Sequence, residues 1–268
     1  IIYVKNSMQI FIKVFMLRFN KFFLTVDLND NASKTSLFIL KNIKSKNKLA
    51  FAFNENYSEI LTHPFEPIDK TKTHLLDRQV SLLQHFGLKI QNEKCRPLIY
   101  LGEKELSEVR EQLKRDKGKI VALNISAGAG IRIWPKEHWI KLISLIANKN
   151  IDWKILLLAT AEEQDIITEI KRDFNPDVFI IQKYYGFQHL VGYIKTCDLL
   201  ITPDTSAVHI ASALNKPLVA MFPGTEWSSV SFAPYRVLNR MLISPVEHIK
   251  GISPESVFEK YKEIMKEI

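Results

Sequence analysis

Cysteine is scarce in this chain: two in 268 residues, Cys95 and Cys197, far apart and in no C-x-x-C pair. That removes a zinc ribbon, a thioredoxin-like redox centre and a disulfide framework from consideration. Both thiols are expected reduced and in the core. Long apolar runs are missing too. The Phe-, Ile- and Leu-rich stretch from Ile10 to Val26 is interrupted by Lys13, Arg18 and Lys21, well short of the roughly 20 apolar residues of a membrane span. No short apolar core leads to a small-residue cleavage site, so a cytoplasmic protein is expected. No strand runs into G-x-G-x-x-G with an acid about 20 residues on, which excludes the usual nicotinamide-dependent dehydrogenase. No D-x-D or histidine cluster suggests a metal site, and there is no internal repeat or low-complexity tract. No zinc-finger or ribonucleoprotein signature is present, so nucleic acid is not an expected partner.

What is present is an ordinary globular composition, 46% hydrophobic and 25% charged, carrying an excess of base. The net charge of +8 and a pI near 9.3 call for an acidic partner. A phosphate-bearing substrate fits, as does a peripheral contact with an anionic membrane surface. The lysines are densest between Lys41 and Lys48.

From about Lys119 onward, short β-branched runs alternate with helical patterns, as in parallel βαβ units. Strands are expected at Ile120 to Ile125, Trp153 to Thr160, Val178 to Gln182, Leu199 to Thr202 and Leu218 to Phe222. Helices are expected at Pro135 to Ala147, Ala161 to Lys171, Gln188 to Thr196, Ala207 to Leu214 and Pro254 to Ile268, the last with Ser253 as N-cap. Five such strands make an open, doubly wound sheet that binds ligands at its carboxyl ends. The first hundred residues are less regular. A strand at Phe22 to Leu28, a helix at Ser33 to Ile43, a strand at Leu49 to Phe53 and a helix from Thr73 to Phe86 stopped by Gly87 are α/β, but too few for a full doubly wound domain. Asn92 to Arg115 reads as a connector. The boundary is set inside it: residues 1–105 as a partial N-terminal α/β domain, 106–268 as a Rossmann-like domain.

The most informative segment is Leu199 to Thr225, LLITPDTSAVHIASALNKPLVAMFPGT. An apolar strand runs into Asp204-Thr205-Ser206, and a helix of small residues starts at once with Ala207. A helix N-terminus presents unpaired N–H groups and about half a positive charge, so phosphate is the expected visitor. The plainer alternative is a cap by Asp204 or Thr205 with the alanines packed on the sheet. A second segment, VALNISAGAGIRIWPKEHW from Val121, places Ser126, Ala127 and Gly128 in a small-residue loop ahead of Arg132. A third, LLLATAEEQ from Leu156, ends a strand on Thr160, Glu162 and Glu163.

These three segments resemble glycosyltransferase family 9, the lipopolysaccharide heptosyltransferases. Asp204, Thr205, His209, Ala213, Leu214, Pro217 and Gly224 fall on that family's aspartate, hydroxyl residue, histidine, alanine-rich helix, proline-led strand and glycine loop. Ser206 stands where glycine is usual, and Phe222-Pro223-Gly224 where aromatic-Gly-Pro is commoner. The resemblance implies a GT-B-like fold of two Rossmann-like domains, the N-terminal one incomplete here. It implies an inverting, metal-independent transferase that needs no cofactor. Its donor would be a nucleotide diphosphate sugar, ADP-heptose, and its acceptor the lipopolysaccharide core. Arg132 then lies near the diphosphate with Ala127 and Gly128 lining it, Ser126 belongs to the same nucleotide-sugar site, Asp204 binds sugar hydroxyls, and Glu162 in preference to Glu163 meets the ribose. His209 either contacts the ligand or packs the loop. His74, Arg78, Asp27 and Asp30 are expected to be structural. The family's catalytic aspartate follows a front strand and a glycine-Asp turn not found here, so the catalytic base is expected in an absent N-terminal part. The alternative is a truncated or degenerate member that binds nucleotide sugar without efficient transfer.

Overall fold

The computed structural model describes residues 7–52, 54–113, 118–128, 130–149, 153–172 and 174–268. The chain divides into two units, Ile1–Lys94 and Cys95–Ile268, a division that falls within the expected connector.

In the second unit, apolar runs of two to six residues form six parallel strands: β3 (Lys119–Asn124), β4 (Trp153–Leu158), β5 (Phe179–Ile180), β6 (Leu199–Pro203), β7 (Leu218–Phe222) and β8 (Asn239–Ile243). (The labels β1 and β2 denote Lys21–Asp27 and Lys44–Ala50 of the first unit.) Their order across the sheet is β5-β4-β3-β6-β7-β8. Counted within the unit this is 3-2-1-4-5-6, the doubly wound order, and the winding reverses between β3 and β6.

Side chains alternate faces along a strand, so each run supplies both cores. On one face Val121, Leu123, Ile155, Leu157, Ile201 and Met221 meet α6 (Lys136–Ala147) and α11 (Pro254–Met265) through Trp139, Leu142, Ile143, Val257 and Ile264. On the other, Ile120, Ala122, Leu156, Leu200, Leu218 and Phe222 meet α5 (Glu103–Leu113), α8 (Phe187–Thr196) and α9 (Ser206–Ala213). The remaining helices are α7 (Gln164–Lys171) and the single turn α10 (Ser228–Ser231).

Besides the single turn α10, two elements of this unit were not expected. The stretch read as a connector contains α5, whose Leu106, Val109 and Leu113 are buried but are diluted by Glu and Arg between them. It packs on α8 closely enough that a Cβ on Gly192 would lie 3.2 Å from Val109 Cγ2. The connector's last residues, Lys114 and Arg115, lie outside the described residues. The other is β8, an edge strand of sequence NRMLI with no fully buried residue, which gives no alternating or continuous apolar signal. Cys197 is buried, with its thiol pushed up to about 12 by burial. Cys95 is only half-buried and so does not join the core as expected.

The first unit comprises α1 (Ser7–Leu17), β1, α2 (Lys34–Asn42), β2, α3 (Glu55–Ser58) and α4 (Leu75–His85). β1 and β2 pair in parallel, from Lys21 against Lys44 to Asp27 against Ala50. The second strand thus starts five residues before the expected Leu49, because Lys44-Ser45-Lys46-Asn47-Lys48 hides a polar edge strand; the expected end at Phe53 lies outside the described residues. α1 was not foreseen. Ser33 caps α2 by accepting from the Ser36 N–H, and Gly87, at φ +95°, takes the left-handed conformation that ends α4. His74 caps α4, its ring nitrogen accepting from Leu76 N at 3.1 Å. Arg78 is 3% exposed and pairs with Asp30 at 2.6 Å, with its guanidinium over the Phe51 ring. Asp27 accepts from the Asn29 N–H at 3.1 Å. No helix among the described residues is long and apolar enough to cross a membrane.

Candidate functional site at the sheet reversal

Where the winding reverses, the loops after β3 and β6 leave toward opposite faces of the sheet, and the opening lies beyond their carboxyl ends. β6 delivers Asp204 and Thr205 there. Thr205 is the N-cap of α9: its hydroxyl accepts from the Ala207 N–H at 3.3 Å. The Val208 N–H is taken by the Thr205 carbonyl at 3.1 Å. Ala207 and Val208 are buried, and Ser206 is exposed. Of Ser206, Ala207 and Val208 at the helix start, then, only Ser206 faces solvent; Ala207 serves packing and the cap.

Arg132 comes from the loop after β3, in a short 3-10 turn, Gly130–Arg132. Trp134 anchors that loop: its indole is 2% exposed, its N–H donates to the Ile252 carbonyl at 3.0 Å, and it packs edge-on against Trp139. With its base fixed, the Arg132 guanidinium reaches β6. Its Nη1 donates to the Asp204 carbonyl at 2.9 Å and stands 3.9 Å from the Asp204 carboxylate. The arginine side chain remains about one-third exposed. Asp204 itself is 4% exposed. Burial raises its pKa to about 6, and Arg132 offsets part of that rise.

A third loop, after β4, holds Thr160. Here Glu163 is fully engaged: its carboxylate accepts from the Thr160 N–H at 2.9 Å, from the Thr160 hydroxyl at 3.0 Å, and from the Ser126 hydroxyl. The Ser126 oxygen in turn accepts from the Thr160 N–H at 3.2 Å. This is a capping box, and Thr160-x-x-Glu163 is its sequence signature, a signal that picks Glu163 as the helix-start acid. Glu162 is exposed beside it.

Ala127 is half-buried and Gly128 exposed. A Cβ at Gly128 would meet nothing within 4 Å, so protein packing does not demand glycine there. At Gly224 it does: a Cβ would lie 2.5 Å from the Ser244 carbonyl and 2.6 Å from that of Val246. The Gly224 N–H donates to the latter at 2.9 Å, tying the loop after β7 to the one after β8. The His209 ring stacks edge-on against Phe232 at 5.7 Å, so this histidine holds an aromatic contact from the first turn of α9. Missed altogether was Asn124, the buried last residue of β3, whose carboxamide reaches both Thr202 and Thr205. Its only signal is a polar side chain closing the apolar run IVAL. Among the described residues, no three His, Cys, Asp or Glu side chains gather as a metal site.

A doubly wound sheet whose reversal carries a guanidinium beside a capped helix start defines a Rossmann-like domain of the nucleotide-handling kind. Over residues 17–262 the sequence matches glycosyltransferase family 9 (heptosyltransferase), and the chain belongs to that family. It is 26% identical over 255 residues to lipooligosaccharide heptosyltransferase 2 of Campylobacter jejuni, covering 87% of this chain and 72% of that protein. Among solved structures it is similar to a family 9 glycosyltransferase from Veillonella parvula, with a TM-score of 0.81 at 14% identity over 99% of this chain and 81% of that one. It is also similar to the E. coli ADP-heptose lipopolysaccharide heptosyltransferase II, with a TM-score of 0.70 at 18% identity over 95% and 80% of the two chains. At these identities the structural likeness establishes the α/β, GT-B-like fold.

Proposed function

We propose that this glycosyltransferase moves heptose from ADP-heptose onto a lipopolysaccharide core acceptor, with inversion and without a metal. The observation that carries the reading is the Arg132 guanidinium lying on the β6–α9 turn, because a cation fixed at a helix start is what a departing diphosphate requires. Arg132 and the Ser206 end of α9 neutralise the diphosphate, with Ala127 and Gly128 along its path, and the Ser126 oxygen accepts from a sugar or ribose hydroxyl. Asp204 and His209 face the sugar, and Glu162 meets the ribose. Calorimetry with ADP, followed by transfer from ADP-heptose to a deep-rough lipopolysaccharide, tests this. Binding with turnover is expected; no ADP binding would end the reading, and binding without turnover would reduce the chain to a nucleotide-sugar-binding module.

The two neighbouring acids separate by experiment. Glu162→Ala should raise the donor KM several-fold with no change in thermal stability. Glu163→Ala should cost about 1 kcal/mol of stability through the lost cap. The opposite pattern would exchange their roles.

We propose further that the protein works in the cytoplasm against the anionic inner membrane. Arg18, Lys21, Lys41, Lys44, Lys46 and Lys48 surround one cavity of about 570 Å³ in the first unit, with Phe11, Phe15 and Phe19 exposed. Co-sedimentation with phosphatidylglycerol vesicles, absent with phosphatidylcholine and weakening between about 0.05 and 0.5 M salt, is the expected result. Equal binding to both lipids would refute it.

A further inference from the structure

Asn124 ends β3 on one side of the reversal, and Thr202 and Thr205 stand on the other. The Asn124 carboxamide nitrogen is 2.9 Å from Thr202 Oγ1, 3.1 Å from Thr205 Oγ1 and 3.4 Å from the Ser126 carbonyl. Thr202 donates its own proton to the Pro203 carbonyl at 2.9 Å, so it turns lone pairs toward Asn124, and the nitrogen end of the amide must face it. Thr205 Oγ1 then accepts twice, from the Asn124 amide and from the Ala207 N–H at 3.3 Å. A hydroxyl oxygen has two lone pairs and one proton. With both lone pairs filled, Thr205 has only its proton left to offer. Within the protein that proton is accepted by Thr202 Oγ1, 3.2 Å away, whose second lone pair is open, and a charged phosphate oxygen is the stronger acceptor for it.

We propose that Asn124 is a positioning residue: by filling a Thr205 lone pair from across the sheet reversal, it makes that hydroxyl an obligate donor to a phosphate oxygen. Asn124 touches no ligand itself. It acts through Thr205, and the inference rests on the reading that a nucleotide diphosphate binds at the β6–α9 turn.

The test is ADP affinity of the wild type, Asn124→Asp and Asn124→Ala by calorimetry from pH 5 to pH 8, taken as a ratio to wild type at each pH. An ionised carboxylate cannot donate, so Asn124→Asp should lose roughly tenfold or more at pH 8. As pH falls the introduced carboxyl gains a proton, and the ratio should climb back toward one. Asn124→Ala should stay weak throughout. A pH-independent loss equal in both variants would show Asn124 to be merely structural, and an Asn124→Asp curve coincident with wild type would overturn the proposal. Failure of the wild type to bind ADP would instead overturn the functional reading beneath it. Should Asn124→Asp not fold, a double-mutant cycle of Asn124→Ala with Thr205→Val reads the same coupling. Once the hydroxyl is gone the second substitution should add little, and full additivity would refute the proposal.

Discussion

Arg132→Ala lowers kcat/KM for the nucleotide-sugar donor by roughly 10²- to 10³-fold, the size of effect seen when one fixed electrostatic donor is removed from an active site. The guanidinium is held in place before any ligand arrives, by the Trp134 anchor and by the 2.9 Å bond to the Asp204 carbonyl. No reorganisation is then required at the moment charge develops on the leaving group. Arg132→Lys keeps the charge and loses the planar fork, so it should retain part of the activity. Because Arg132 is what holds the Asp204 pKa down, the alanine variant should also move the acidic limb of the pH–rate profile upward. Steady-state rates from pH 5 to pH 8 check both, and a fall of less than a few-fold would remove Arg132 from the diphosphate site.

Asp204→Asn stabilises the protein at alkaline pH while abolishing most of its activity. The Asp204 carboxyl has a folded pKa of about 6 against an ordinary value of 3.8, chiefly because it is buried. The folded form therefore binds its proton more tightly than the unfolded chain. The contribution of this group to stability is greatest below about pH 4, falls as pH rises through about 6, and stays reduced above it. A tenfold difference in proton affinity between the folded and unfolded chain corresponds to about 1.4 kcal/mol, so the penalty near pH 8 is on the order of 3 kcal/mol. The asparagine variant carries no such charge. Urea midpoints should separate from the wild type between pH 4 and pH 7 and remain apart above; parallel curves would refute the assignment. A carboxylate kept ionised at this cost is one retained for chemistry, in line with a role toward sugar hydroxyls.

The large sheet was readable because strands covered on both faces are apolar at every position, and Leu218–Phe222 falls at the expected residues. The start of α9 was readable for a different reason: a hydroxyl cap followed by alanines leaves few other local conformations. Elements that carry little apolar sequence of their own were not readable. In α5 the apolar stripe is three residues wide among charges. In β2 the lysines reflect an exposed edge, and in β8 an outer edge. The site followed the same division. Arg132 and the Asp204 turn were legible as separate motifs and meet in space, whereas Asn124 has meaning only once β3 and β6 are neighbours, a fact of topology that no local pattern encodes. The capping role of Glu163 was legible as well, since its spacing from Thr160 announces a cap, in keeping with the preference for Glu162 at the ribose.

Ser126 has its proton spent on Glu163 and one lone pair given to Thr160, so a single lone pair is left. That oxygen can receive but not give. An ionised phosphate, rich in acceptors and without a hydrogen to share, finds no welcome there, whereas the hydroxyl of a pentose or a sugar does. On the proposed reading, the loop after the first strand of the sheet sorts its visitors by valence: carbohydrate toward Ser126, phosphorus toward the arginine.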